Sequence, residues 1–233
     1  MRVLVTRPLE DAQEIAARLR ACGHEALVAP LLEICFRDGP EIVFDGVQAI
    51  LATSANGVRA LSRRTDVRDI PIYAVGPQTA AEARRLGFVE VGNAQGDAAA
   101  LAGAVAGWAT PGGGVLLHAA GAETRGDLAA RLVAKSFTVR TETLYDAVAV
   151  AALPKPVSEA LRANRLDAVL LFSPRSARIF AELVAAAGLA GSCSRLFAAC
   201  ISQAAAVALG GLKFKDVRIA AVPNQASLLA CLD

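Results

Sequence analysis

Apolar residues in this chain gather in short runs, and between the runs they recur at helical spacing, which is the signature of strands alternating with helices. Residues 2–6 (RVLVT) fit a strand buried on both faces, and residues 10–21 then place Ile15, Ala16 and Leu19 on one helical stripe. Gly23 is placed to end that helix in a left-handed conformation, and residues 25–29 follow as a second strand. The same pairing is expected at 49–53 with 56–62, 72–75 with 79–86 and 115–118 with 124–134. It recurs at 169–172 with 176–186 and at 196–200 with 204–209. Such alternation implies parallel sheets with right-handed crossovers. Two segments depart from it. Residues 31–37 (LLEICFR) and 140–148 (RTETLYDAV) alternate polar and apolar positions, as half-exposed extended strands do.

The pattern also repeats itself. Residues 45–61 (DGVQAILATSANGVRAL) and 166–180 (LDAVLLFSPRSARIF) each run from a buried strand through a polar loop into a helix. Residues 73–83 likewise match 199–209, and 97–101 match 224–228, at nearly constant offset. We therefore expect an α/β protein of two similar lobes, each a parallel sheet flanked by helices, with the two odd strands paired as a β-ladder connector and hinge. Two lobes leave a cleft, and clefts bind ligands.

Composition narrows the function classes. At 55% hydrophobic and 20% charged residues, with mean hydropathy +0.44, the chain has ample core and is not disordered. No apolar run approaches the ~20 residues of a membrane span. The first residues turn polar too soon for a signal peptide, so a cytoplasmic protein is expected. The formal charge of +2, without a basic tract, argues against nucleic acid as a partner. Five scattered cysteines and two histidines supply no clear metal-ligand set.

Open parallel sheets bind ligands beyond the carboxyl ends of their strands. Four loops there carry suitable groups: Thr53, Ser54 and Asn56; Gly76, Pro77, Gln78 and Thr79; Ser173, Arg175 and Ser176; and Ser202 with Gln203. Each offers free N–H groups at a helix start beside hydroxyls or amides, an arrangement that binds carboxylate or phosphate. Ordinary helix capping explains the same residues, and only the convergence of four such loops favours a ligand. Dinucleotide, Walker and nucleophile-elbow motifs are absent from the sequence. Gly112, Gly113 and Gly114 precede a strand and read as a turn, and Trp108 beside them reads as packing. His118, at a strand end, is either a ligand contact or an incidental loop histidine. Tyr145 lies in the connector, where it is either a phenol facing the cleft that can donate a proton or a strand aromatic covering the connector.

Taken together, Val3-Leu4-Val5-Thr6-Arg7-Pro8, Pro30-Leu31-Leu32-Glu33-Ile34, Thr53-Ser54-Ala55-Asn56-Gly57-Val58, Val75-Gly76-Pro77-Gln78-Thr79-Ala80 and Leu144-Tyr145-Asp146-Ala147 resemble the uroporphyrinogen-III synthase family of bacterial type. The resemblance covers essentially the whole chain. It implies a discontinuous lobe of residues 1–34 with 150–233, a second lobe of 42–139, and a connector of 35–41 and 140–149. It implies a lyase of tetrapyrrole biosynthesis that cyclises hydroxymethylbilane without a cofactor, losing water and inverting the last pyrrole through a spiro intermediate. Tyr145 matches the tyrosine that assists departure of the hydroxyl, and Thr79 matches a cleft threonine. Arg7, Ser54, Asn56, Gly76 and Ser173 fall at carboxylate-binding loops, with Arg125 a weaker candidate. The chain departs from the family pattern at Ser202-Gln203-Ala204-Ala205, where relatives carry a Gly and a Thr like Gly76 and Thr79.

Two other classes share some of these features. A two-lobed binding protein for a small anion would use the same helix starts but has no need of Tyr145, and a nucleotide-sugar transferase would need a recognisable nucleotide site. A monomer is expected, meeting the preceding enzyme of its pathway only transiently.

Overall fold

The computed structural model describes residues 1–123 and 126–232 of the 233-residue chain. In order, its elements begin with β1 (Arg2–Val5), α1 (Leu9–Ala21), β2 (Glu25–Val28), β3 (Leu32–Phe36), β4 (Val47–Ala52), α2 (Ala55–Ser62), β5 (Ile72–Ala74) and α3 (Pro77–Arg85). There follow β6 (Val91–Asn93), α4 (Ala98–Trp108), β7 (Val115–Gly121), α5 (Leu128–Val133), β8 (Thr138–Ala149), α6 (Lys155–Arg162), β9 (Ala168–Leu171) and α7 (Pro174–Ala186). The chain closes with β10 (Phe197–Cys200), α8 (Gln203–Val207), β11 (Asp216–Ile219) and α9 (Gln225–Leu229).

The residues divide into two compact units, Met1–Glu33 with Val148–Asp233, and Ile34–Ala147. The first holds a five-stranded sheet in the order β11-β10-β9-β1-β2, parallel throughout. The second is built on the order β3-β8-β7-β4-β5-β6. From β6 to β8 it is parallel and repeats the first order, with β4, β5, β6, β7 and β8 in the places of β9, β10, β11, β1 and β2. The repeat seen in the sequence is thus a repeat of topology. It accounts for the N-terminal strand joining the C-terminal sheet, since β1 is the partner that β9 requires.

Both faces of each sheet are covered, as near-continuous apolar strands demand. In the second unit Ile50, Ala52, Leu117 and Ala119 pack under α2 and α3, while Ala49, Leu51 and Leu116 pack under α4 and α5. In the first, Leu4, Val169 and Leu171 face one way with Phe180 and Val157, and Val3, Val5 and Leu170 face the other with Ile15 and Leu19. Gly23, at φ +76°, ends α1 as expected: its N–H bonds the Arg20 carbonyl while that of His24 bonds Leu19.

Several elements differ from the sequence reading. The fifth helix starts at Leu128 rather than at 124, because Gly126 at φ +76° and Asp127 hold non-helical conformations; Thr124 and Arg125 lie outside the described residues. Strand β7 continues to Gly121, so His118 sits inside a strand and not in a loop. Segments 31–37 and 140–148 do pair: Arg37 N–H bonds Leu144 O and Val150 N–H bonds Leu31 O, which makes β3 and β8 antiparallel. Strand β8 is longer than expected and also pairs with β7, so the connector is an extension of a sheet. The pattern missed α4, whose run AAALAGAVAGW shows no polar face, and α6, whose stripe of Val157, Ala160 and Leu161 is masked by Pro154 and Pro156.

Candidate functional site

In the second unit the candidate chemistry gathers at the start of α2, where β4 and β7 end beside Tyr145 of β8. Ser54 is the N-cap of α2, and its Oγ accepts the Gly57 N–H at 3.0 Å. The same oxygen stands 2.8 Å from the Tyr145 phenol oxygen, and either group can donate. Tyr145 reaches it through a break in register. Ala120 pairs with Thr143 but Gly121 pairs with Tyr145, which leaves Leu144 as an extra residue in β8. Neighbouring residues of a strand normally face opposite ways. Here Leu144 and Tyr145 both pack on the α2 side of the sheet.

Two glycines make room for this arrangement. A Cβ on Gly57 would lie 2.5 Å from the Ala119 carbonyl oxygen, and one on Gly121 would lie 2.7 Å from Cζ of Tyr145. The sequence reading gave neither a role. The T-S-A-N-G spacing carries a signal for the first, and nothing in the sequence carries one for the second.

Helices α2 and α3 are tied by a buried charge that was also missed. Glu82 of α3, 8% exposed, receives Arg59 of α2 at 2.7 Å and Arg85 at 2.8 and 2.9 Å. Hydrogen bonds from Arg85 and then Arg59 hold its carboxyl below the usual range, against the effect of burial. Arg59 also donates to Asn56 Oδ1 at 2.8 Å, which fixes the amide at the head of α2. At the head of α3, Gly76 is extended and has no side chain to cap the helix, Pro77 occupies the first turn with Gln78 half-buried behind it, and Thr79 is buried. The first N–H groups of α3 are therefore unspent on a side-chain cap.

His118 is 4% exposed, with Nε2 3.4 Å from Thr53 Oγ1. Burial pushes its pKa down to about 4, so it is neutral at physiological pH and is built into the strand rather than offered to solvent.

In the first unit the remaining candidates line the ends of β1, β9 and β10. Ser173 caps α7, accepting the Ser176 N–H at 3.0 Å, and Ser176 is itself buried. Arg175 is half-buried in the first turn of α7. Arg7 follows β1, ion-paired with Asp11 and lying 5.0 Å over the Phe172 ring. Ser202 caps α8 through the Ala205 N–H at 3.3 Å, with Gln203 exposed beside it. Where Gly76 leaves its helix start uncapped, its counterpart Ser202 closes one. Arg125 lies outside the described residues. Among those residues no cluster of His, Cys, Asp or Glu is placed to hold a metal, and no helix is long and apolar enough to cross a membrane.

Comparison with known proteins bears on this geometry. A family model described as uroporphyrinogen-III synthase HemD matches residues 13–230. A curated relative from Methanocaldococcus jannaschii, named "Putative uroporphyrinogen-III synthase", is 33% identical over 86 residues, which make up 34% of this chain and 36% of the relative. The chain thus spans about a third of the length of the curated relative it matches. Among solved structures, uroporphyrinogen-III synthetase from Helicobacter pylori aligns with TM-score 0.65 at 17% identity, over 100% of this chain and 98% of that one. A mutant uroporphyrinogen III synthase from Thermus thermophilus aligns with TM-score 0.55 at 19% identity, over 100% and 97%. At such identities the two structures show the fold.

Proposed function

The chain belongs to the uroporphyrinogen-III synthase family, whose model matches residues 13–230, and on that premise we propose that it cyclises hydroxymethylbilane to uroporphyrinogen III. The reaction loses water and inverts the last pyrrole. The observation that carries the reading within this chain is the Tyr145 phenol held 2.8 Å from Ser54 at the head of α2. A phenol so held can give its proton to the departing hydroxyl of the substrate. The linear tetrapyrrole carries carboxylates on every pyrrole, and the starts of α2, α3 and α7 suit them. Arg7, Thr53, Asn56, Gly76, Gln78, Thr79, Ser173, Arg175 and Ser176 are the groups for that task, with Pro77, His118, Ser202, Gln203 and Arg125 as further candidates. Helix-start N–H groups hold anions while leaving the pyrroles free to turn, so the protein's chief contribution is geometric. No cofactor is required.

The proposal includes a discontinuous lobe of residues 1–34 with 150–233, a lobe of 42–139 and the strands between them as connector. It also includes action in the cytoplasm as a monomer that meets the preceding enzyme transiently. The test is to supply enzymatically generated hydroxymethylbilane and separate the oxidised porphyrin esters by chromatography. Type III isomer above the blank is expected, with a rate indifferent to chelators; type I isomer alone at the blank rate overturns the reading in favour of an anion-binding protein.

A further inference from the structure

The hydroxyl of Ser54 has more contacts than a helix cap needs. It accepts one N–H from Gly57 and still touches the Tyr145 oxygen at 2.8 Å, using one of two acceptor lone pairs and keeping its own proton to give. An oxygen that accepts an N–H at a helix start is polarised to donate, and the helix start itself favours negative charge nearby. The extra residue Leu144 in β8 turns Tyr145 to the side of this group, and the absence of a side chain at Gly121 leaves room for its ring.

We propose that Ser54 is the positioning residue of Tyr145, donating its O–H to the phenol oxygen so that the phenolic proton points to the substrate. The proposal rests on the cyclase reading above. In the step it serves, the substrate C–O bond breaks with its electron pair on oxygen, the phenolic O–H bond breaks, and the proton joins the leaving hydroxyl as water. The phenolate keeps the electron pair of its O–H bond and is met by the Ser54 hydroxyl. The proton lost from a pyrrole carbon as the ring closes then restores the phenol. Ser54 therefore serves Tyr145 and not a substrate carboxylate, as its place in a helix-start loop had suggested.

Two substitutions separate this role from capping, because glycine replaces serine at an N-cap with little loss of stability. Ser54→Gly is expected to lower kcat roughly tenfold with KM within about twofold, and Ser54→Thr to stay within about threefold of the parent. In a Tyr145→Phe background Ser54→Gly should add nothing, as expected of two groups acting as one. A raised KM with kcat unchanged, or equal losses in both backgrounds, overturns the proposal. A second readout needs no turnover. The chain has two tyrosines, so in a Tyr73→Phe variant the ultraviolet phenolate signal reports Tyr145 alone. Adding Ser54→Gly should move that signal to higher pH, whereas Ser54→Thr should not; an unchanged titration overturns the contact. A parent that makes no type III isomer defeats the cyclase reading, and the titration still decides whether Ser54 governs the phenol.

Discussion

Gly57 and Ala119 meet backbone to backbone: the space for a Cβ on Gly57 is taken by the Ala119 carbonyl oxygen, 2.5 Å away. Helix α2 thereby lies against β7 with no room for a side chain at Gly57, and Ser54 at its head reaches Tyr145 of β8.

The stability of two glycine variants should differ accordingly. Gly57→Ala forces the helix off the strand and is expected to cost about 1–3 kcal/mol. Gly76→Ala adds a methyl group into open space at an extended φ and should stay within about 0.5 kcal/mol. Urea denaturation of the two proteins measures both, and equal losses would contradict the close approach.

Replacing Tyr145 by Phe removes the proton donor and keeps the ring in its seat. Turnover is expected to fall about 10²-fold while product binding changes little, since a proton donor acts in the transition state. Turnover within about a factor of two of the parent would leave the tyrosine a structural role only.

His118 makes stability depend on pH. Its folded pKa, about 4, lies below the ordinary 6.5, so below 6.5 the unfolded chain takes up the proton first. Stability from this residue is complete above pH 6.5 and is lost as pH falls towards 4, by about 3 kcal/mol in all. Thermal melts across that range should show the slope in the parent, and a His118→Gln variant should lack it.

Glu82 acts at lower pH. Its carboxyl is held below the ordinary 4.5, so its contribution is present above 4.5 and disappears as pH falls through the lower folded value. Glu82→Gln removes the carboxylate charge that Arg59 and Arg85 share at the α2–α3 contact and is expected to cost about 2–3 kcal/mol at neutral pH. Denaturation at pH 7 and in acid tests this, because the variant should lose less than the parent on acidification.

The alternation of strands and helices was legible because fully buried strands such as Val169–Leu171 leave long apolar runs. The four helix-start loops were legible because serine, asparagine and glycine have local reasons to stand there. Other features were not. α4 shows no polar face on which a helical period can be counted. The Arg59–Glu82 pair joins residues 23 apart, through a packing of α2 on α3 that no local pattern encodes. The contact between Ser54 and Tyr145 spans 91 residues and depends on one residue without a counterpart in β7, Leu144, which looks in sequence like any apolar strand position.

That extra residue makes the site depend on length as well as on composition. Deleting one residue between Gly121 and Tyr145 in the fold, such as Leu144 itself, would leave every candidate group in the chain yet return β8 to even alternation. Tyr145 would then occupy the inward place that Leu144 fills now, and the strand beyond it would turn over. A motif search would still find the Tyr-Asp-Ala run and the T-S-A-N-G loop in such a chain. The spacing between β7 and β8 is therefore a sharper criterion for a working relative than the tyrosine alone.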